Sequence, residues 1–266
     1  MQVGAIRLDP VSDGAFVARP SYFHPDATAA AEPRLFGRAG AAWLPIGCFL
    51  VRTGDRVILV DAGLGPDMQS LPDAMWLVGG QLLTGLRSLG VRPGDITDVI
   101  CTHFHADHVG WLFDLAAQPV FPAATVWFGA GDWDHFVDGP GEMAPHIEKG
   151  LRSLPAPRLR SLRTATEVVP GVEAVPAPGH TPGHLCVVLE SDGRRVILLG
   201  DAITAPEQLA ESGWHSMGDV DARLAEHTRS TLCELLADPS TTGVGAHFPE
   251  LRFGTLHGGR WHPTDG

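Results

Sequence analysis

The chain has 266 residues, 44% of them hydrophobic and 19% charged, and 31 acidic residues against 19 basic ones give a formal charge of −12. That composition excludes a disordered or collagen-like chain, and the acidic balance opposes polyanionic partners, so neither nucleic acid nor an anionic membrane is expected as a partner. No positively charged apolar leader opens the sequence and no apolar run reaches about 18 residues, so a cytoplasmic protein without a membrane span is expected.

Taken in chain order, residues 1–20 hold short apolar pieces split by Asp9-Pro10 and Asp13-Gly14, which reads as edge strands. Residues 21–42 have no period and are rich in Ala, Pro and Gly, as in a lid-like loop. Ile46–Arg52 and Arg56–Val60, joined by Thr53-Gly54-Asp55, form a hairpin whose second arm is continuously apolar, like a strand covered on both faces. Residues 66–80 read as irregular. Leu82, Leu83, Leu86 and Leu89 make a helical stripe that Gly90 ends. Ile96–Thr102 reads as a buried strand running straight into His103, and Ala124–Phe128 as a further strand. Met143, Ile147, Leu151 and Leu154 share a helix face, and Val168–Val175 reads as a strand pair.

The second half repeats the first. Leu185–Leu189, a Ser191-Asp192-Gly193 turn and Arg195–Asp201 form another hairpin, and the tetrapeptide Arg-Val-Ile-Leu occurs at both 56–59 and 195–198. Each copy is the second arm of a hairpin and is soon followed by an Asp, which points to duplicated halves. A helix over about 219–237 with Asp219 or Asp221 as its cap, a strand over 242–246 and a fold-back through Gly258-Gly259 complete the chain. Mixed strands and helices in two similar halves predict a layered α/β sandwich, with no linker to divide residues 1–266 into domains.

The histidines carry the chemistry. There are 13 of them beside a single lysine, while four scattered cysteines (Cys48, Cys101, Cys186, Cys233) form no C-x-x-C pair. In Thr102-His-Phe-His-Ala-Asp-His-Val-Gly110, His103 and His105 point the same way on extended chain and can grip one cation. Asp107 and His108 leave the following turn in other directions, which suits a second cation beside the first. Packing gives no reason to gather three His and an Asp in six residues. Three later residues complete the set: His180 in Gly-His-Thr-Pro-Gly-His184, Asp201 at the end of an apolar strand, and His247 in Gly-Ala-His-Phe.

His-x-His-x-Asp-His, Gly-His-Thr-Pro-Gly-His, Leu-Gly-Asp and a late Gly-x-His, in this order between about residues 46 and 248, resemble the metallo-β-lactamase superfamily of hydrolases. The resemblance implies a four-layer αββα sandwich of two similar halves forming one domain over 1–266, with 1–45 as N-terminal strands and a lid-like loop. It implies that His103, His105 and His180 hold one metal, Asp107, His108 and His247 the other, and that Asp201 bridges them. Asp61, in Val-Asp-Ala-Gly, would support a ligand histidine, and His184 is expected as a donor or turn residue beside the ligands. Two divalent ions are implied, zinc first, with Fe, Mn and Co accepting the same donors.

Such a pair shares a hydroxide at neutral pH, and Asp107 is expected to orient it and pass a proton to the leaving group. With no Cys ligand, the set is similar to the dinuclear lactonase and organophosphate-hydrolase branch. It departs from the quorum-quenching lactonases where they carry Tyr three positions after the bridging Asp, because Thr204 stands there; Tyr22 is the chain's only tyrosine. A small-molecule lactone or ester is the expected substrate, with a phosphotriester as the alternative and a non-catalytic metal-binding scaffold as the third reading. Candidate pocket residues are Tyr22, Phe23, Phe36, Trp43, Met68, Met75, Trp76, Phe104 and Thr204. N-terminal extensions in similar enzymes lead to the expectation of a homodimer.

Overall fold

A computed structural model describes residues 1–23, 27–30, 32–37, 39–210 and 214–264. The first sheet contains β1 (Gln2–Val3), β2 (Ile6–Ala18), β3 (Ala42–Thr53), β4 (Arg56–Val60), β5 (Met68–Leu71), β6 (Met75–Val78), β7 (Asp98–Ile100), β8 (Thr125–Gly129) and β9 (Leu159–Leu162). Its order is β5-β6-β2-β3-β4-β7-β8-β9, with β1 paired to β2. The second sheet runs in sequence order through β10 (Thr166–Val169), β11 (Val172–Pro176), β12 (Leu185–Ser191), β13 (Arg194–Leu198), β14 (Thr241–Val244), β15 (Gly254–His257) and β16 (Arg260–Pro263).

The continuous apolar run of β4 is explained by layers on both sides. Ile58 and Val60 join the core shared with the second sheet, where Val172, Leu185, Val187 and Ile197 meet them. Leu59 faces the other way, into a core with Leu82 and Leu86 of α1 (Leu82–Ser88) and Ile147 and Leu151 of the helix Pro145–Ser153. Two short helical turns, α2 (Ala106–Val109) and α3 (Ala130–Asp132), precede that helix, which is therefore α4, and α5 spans Ala222–Leu236. Leu232 and Leu236 of α5 pack with Val244 of β14, giving the αββα order. The Arg-Val-Ile-Leu echo has a counterpart in topology. β4 is antiparallel to β3 and parallel to β7, just as β13 is antiparallel to β12 and parallel to β14.

Two expectations are corrected. Residues 1–20 form an edge strand only at β1, which pairs with β2 alone; β2 is a single 13-residue strand paired with β3 on one side and β6 on the other. Asp13-Gly14 makes no turn there. The register shifts between Ser12 and Gly14, and the bulge places the Asp13 carboxylate inside the protein, where it accepts from the backbone N–H groups of Leu64, Gly65, Gly80 and Leu82 and from Trp111 Nε1. Residues 66–80 are not irregular throughout, because β5 and β6 pair across Pro72–Ala74. Of the two candidate caps, Asp221 caps α5, its side chain accepting from Leu224 N at 2.9 Å.

Candidate active site

The ligand candidates arrive at one edge of the sandwich from strand ends. β7 leads to His103 and His105, whose backbone is still extended (φ −65°, ψ 154°) where it starts α2, and α2 carries Asp107 and His108. The β11–β12 connection brings His180 and His184, the end of β13 leads to Asp201, and the end of β14 to His247. One oxygen or nitrogen from each of His103, His105 and His180 falls within 4.8 Å of the others, and so it does for His103, His108 and Asp201 and for Asp107, His108 and His247.

Hydrogen bonds fix which nitrogen of each ring faces inward. His108 Nδ1 donates to Asp61 Oδ2 at 2.8 Å, His247 Nδ1 to the Pro45 carbonyl at 2.7 Å, and His180 Nδ1 to Asp219 Oδ1 at 2.8 Å. Thr102 Oγ1 donates to Asp61 Oδ2, so it accepts from His103 Nδ1 at 3.1 Å. Each of these four rings is thereby left with its Nε2 turned toward the carboxylates or toward another histidine, free to face a cation once any proton there is lost. His105 Nδ1 stands 3.0 Å from both His103 Nε2 and His180 Nε2. A single N–H on His105 Nδ1 serves only one of these contacts well, whereas a cation among the three nitrogens satisfies all of them. His108 Nε2 and Asp201 Oδ1 are buried with no hydrogen-bond partner, an arrangement that is costly without an ion. The donor set therefore fits two dications.

Charge divides the set. Burial and the neighbouring histidines hold His103 well below the usual imidazole range, and burial takes His105 down to about 3. Around the second group, burial would lower the imidazoles, but the carboxylates outweigh it: Asp107, Asp61 and Asp201 raise His108 to about 9, and Asp201 and Asp107 raise His247 well above its ordinary value. Conversely, burial would raise Asp107, yet His108 and His247 bring it down to about 2.

Three buried carboxylates hold this geometry without facing the cation positions. Asp61 sits in the left-handed region (φ 63°) and also accepts from Thr102 N at 2.7 Å. Asp132 at the end of α3 accepts from Phe104 N and Gly183 N, tying the two histidine loops together; burial raises it to about 6. Asp219 holds His180. Sequence reading found Asp61, saw Asp219 only as a possible cap, and missed Asp132, since the hydrogen bonds that tie Asp132 and Asp219 to the histidine segments span 28 to 51 residues. His184 turns its Nε2 to accept from Asp201 N at 3.0 Å, so it anchors the Asp201 backbone and is not oriented as a ligand.

A cavity of about 890 Å³ opens onto His105, Asp107, Asp201 and His247. Of the sequence candidates, Tyr22 and Phe104 line it. Tyr22 is its only described hydroxyl, and burial, followed by the Asp201 and Asp107 charges, raises that phenol well above its ordinary value and keeps it neutral. Phe23 and Phe36 instead pack on Trp214, with ring centroids 5.4 and 6.4 Å away. Thr204 is buried, its hydroxyl 2.8 Å from Ser216 Oγ. Met75 is buried, and Trp43, Met68 and Trp76 lie on the outer face of β3, β5 and β6, because strand alternation sends them opposite to the buried Leu44 and Leu77. The remaining walls come from residues that sequence reading passed over, among them Phe16, Leu64, Trp111, Phe113, Met143 and Ile147.

The family model described as the metallo-beta-lactamase superfamily matches residues 41–247. The chain belongs to the metallo-β-lactamase superfamily. Among curated members it is 29% identical to an N-acyl homoserine lactonase of Bacillus sp over 171 residues, 59% of this chain and 62% of the relative, so it spans about three fifths of that lactonase's length. It is 28% identical to a probable metallo-hydrolase of Mycobacterium tuberculosis (strain ATCC 25618 / H37Rv) over 243 residues, 76% of this chain and 74% of the relative. Among solved structures, AidC, a dizinc quorum-quenching lactonase in complex with a product, shares the fold with a TM-score of 0.85 over 100% of this chain and 97% of that one, at 22% identity. The hydrolase AbOPH shares it with a TM-score of 0.83 and the same coverage and identity.

Proposed function

We propose that this chain is a dinuclear metal-dependent hydrolase that cleaves a lactone or ester of a small, partly apolar substrate. The observation that carries this reading is the convergence of imidazole lone pairs and carboxylate oxygens at the base of a cavity whose walls are mostly apolar. His103, His105 and His180 would hold one ion, Asp107, His108 and His247 the second, and Asp201 both, with zinc the first choice. When bound, the ions supply Lewis acidity and a water of lowered pKa.

The chain's own residues do the rest. Asp107 faces the cavity with its Oδ2 3.3 Å from His247 Nε2, placed to hold the proton of the attacking water and to pass it to the leaving alkoxide. Tyr22 and Phe104 contact the substrate, the first as a neutral O–H donor and the second as apolar wall. Described lining residues include Asp67, Asp114 and Glu142 but no Lys or Arg, which favours neutral substrates over anions and favours departure of a carboxylate product. The named activity of the Bacillus relative supports a lactone. A neutral phosphotriester meets the same requirements of an uncharged, partly apolar substrate and is the second reading.

A panel of lactones, aryl esters and phosphotriesters, assayed with and without chelator, tests the proposal. Chelator-sensitive lactone or ester turnover is the expected result. Turnover of phosphotriesters alone would favour the second reading, and two bound ions with no turnover would leave a scaffold.

We also propose that the protein is cytoplasmic and homodimeric. No helix among the described residues is long and apolar enough to cross a membrane. Trp43, Val17 and Trp76 form one row across β3, β2 and β6, and Pro45, Ala15, Val78 and Met68 a second across β3, β2, β6 and β5. Neither row carries a charge, so a second copy meets no like-charge conflict there. Light scattering on the wild type and on Trp43→Asp tests this: a dimer that the substitution dissociates supports it, and a wild-type monomer overturns it.

A further inference from the structure

A buried ion pair stands directly behind one ligand candidate, and stability alone gives no reason for it. Asp219 accepts at Oδ1 from His180 Nδ1 at 2.8 Å and at Oδ2 from Ser216 N at 3.0 Å and Arg229 NH1 at 3.2 Å. The three side chains are at most 4% exposed. Taking an Asp and an Arg out of water costs about as much as their attraction returns, so apolar residues in the same space would serve stability as well or better.

The pair is also built into the chain that carries His180. Val220 N donates to the His180 carbonyl at 2.9 Å and Asp221 N to the Gly179 carbonyl at 3.0 Å, while Thr228 Oγ1 of α5 donates to the Pro178 carbonyl at 2.6 Å. Gly218 passes so close that a Cβ there would lie 3.0 Å from His180 Cε1 and 3.3 Å from His105 Cε1. Segment 216–221 and the first half of α5 thus grip one imidazole from its ring nitrogen, its backbone and its open face.

The supports of the other rings differ. His247 leans on a neutral carbonyl, His103 on a hydroxyl, and His108 on Asp61, itself held by Thr102. Only His180 has a carboxylate that is itself paired with a cationic side chain. His103, His105 and His180 include no carboxylate of their own, so a negative partner one ring away from the cation position makes the His180 nitrogen a stronger donor where the local charge is lowest. Arg229 and Ser216 N hold that carboxylate in place, with both oxygens occupied.

We propose that Asp219, held by Arg229, is the positioning residue for His180 and sets the affinity of the His103–His105–His180 position for its metal ion. This rests on the reading above that His180 is a ligand. The test measures zinc affinity by competition with a chromophoric chelator, together with the visible spectrum of the cobalt(II)-loaded protein, for wild type, Asp219→Ala, the pair removal Asp219→Ala/Arg229→Met, Arg229→Lys and His180→Ala. The pair removal leaves no orphaned Arg and guards against loss of folding, which circular dichroism checks. The expected result is a loss of about 10- to 100-fold in affinity for one of two ions in both Asp219 variants, with a changed cobalt spectrum. The second ion should be affected less, and Arg229→Lys should stay nearer wild type than either Asp219 variant. A folded pair-removal variant with wild-type affinity for both ions and an unchanged spectrum overturns the inference. If His180→Ala itself binds two ions as wild type does, the ligand reading fails, a result distinct from failure of the Asp219 inference alone.

Discussion

The two halves of the candidate site surround their histidines with different charge. His103, His105 and His180 form a neutral group: burial keeps the first two unprotonated, and the negative charge behind the third is matched by Arg229. Asp107, His108 and His247 form an acidic group, in which Asp107, Asp61 and Asp201 draw protons onto the imidazoles when no cation is there. The difference teaches that neighbouring positions built from the same residue types respond differently to their environment. His103 and His105 offer lone pairs ready for use, whereas His108 and His247 would give up protons to a bound ion.

Asp201 spans the two, with Oδ2 3.7 Å from His180 Nε2 and 3.3 Å from His247 Nε2, so its loss should have the largest effect. Asp201→Ala is expected to lower turnover by on the order of 10⁴-fold and to weaken both ions together. If elemental analysis shows only one ion lost, the halves are independent. Asp107→Asn changes the acidic half alone. It should cost about 10³-fold in kcat, in the range usual for a lost proton carrier, with the neutral half still loaded. Unchanged kcat would remove Asp107 from proton transfer.

Asp61→Ala frees the His108 ring and is expected to weaken the ion of the acidic half by about 10- to 100-fold. Chelator competition reads that change, and equal weakening of both ions would blur the distinction.

The mildest probe is pH. His108, raised to about 9, is protonated near neutrality, so affinity at the acidic half should climb with pH by about tenfold per unit for each displaced proton, with the His108 contribution ending near pH 9. Burial leaves His103 and His105 no proton to lose between pH 6 and 9, so affinity at the neutral half should climb less steeply. Calorimetry in buffers of different ionisation enthalpy counts the protons released. As many protons released at the neutral half as at the acidic half would contradict the charge assignment.

What could be read in the sequence follows from distance along the chain. The six-residue cluster at 103–108 is legible because its meaning is local, and the hairpin echo is legible because each copy carries its own turn and apolar arm. Asp132 and Asp219 are ordinary acids until the fold brings Phe104, Gly183 and His180 to them. Asp13-Gly14 misleads for a related reason: the dipeptide has turn chemistry, but its carboxylate finds five donors supplied by other segments and stays in a strand. Trp43 and Trp76 illustrate a different limit. Their aromatic bulk suggests a pocket, yet strand alternation places them outside, Trp43 in β3 and Trp76 in the short β6 that follows the Pro72 turn. Tyr22 is the reverse case, a residue of an unpatterned segment that contacts the cavity because Phe16 and Phe23 seat its ring, with centroids 4.8 and 5.2 Å away.

The central claim, that two ions together make this cavity a hydrolytic site, is tested most directly by adding zinc stepwise to the metal-free protein while following lactone hydrolysis and bound metal in the same sample. The account predicts two ions per chain and turnover that appears only as the second equivalent binds. Full turnover with no metal, or with a single ion and no further gain, would contradict it.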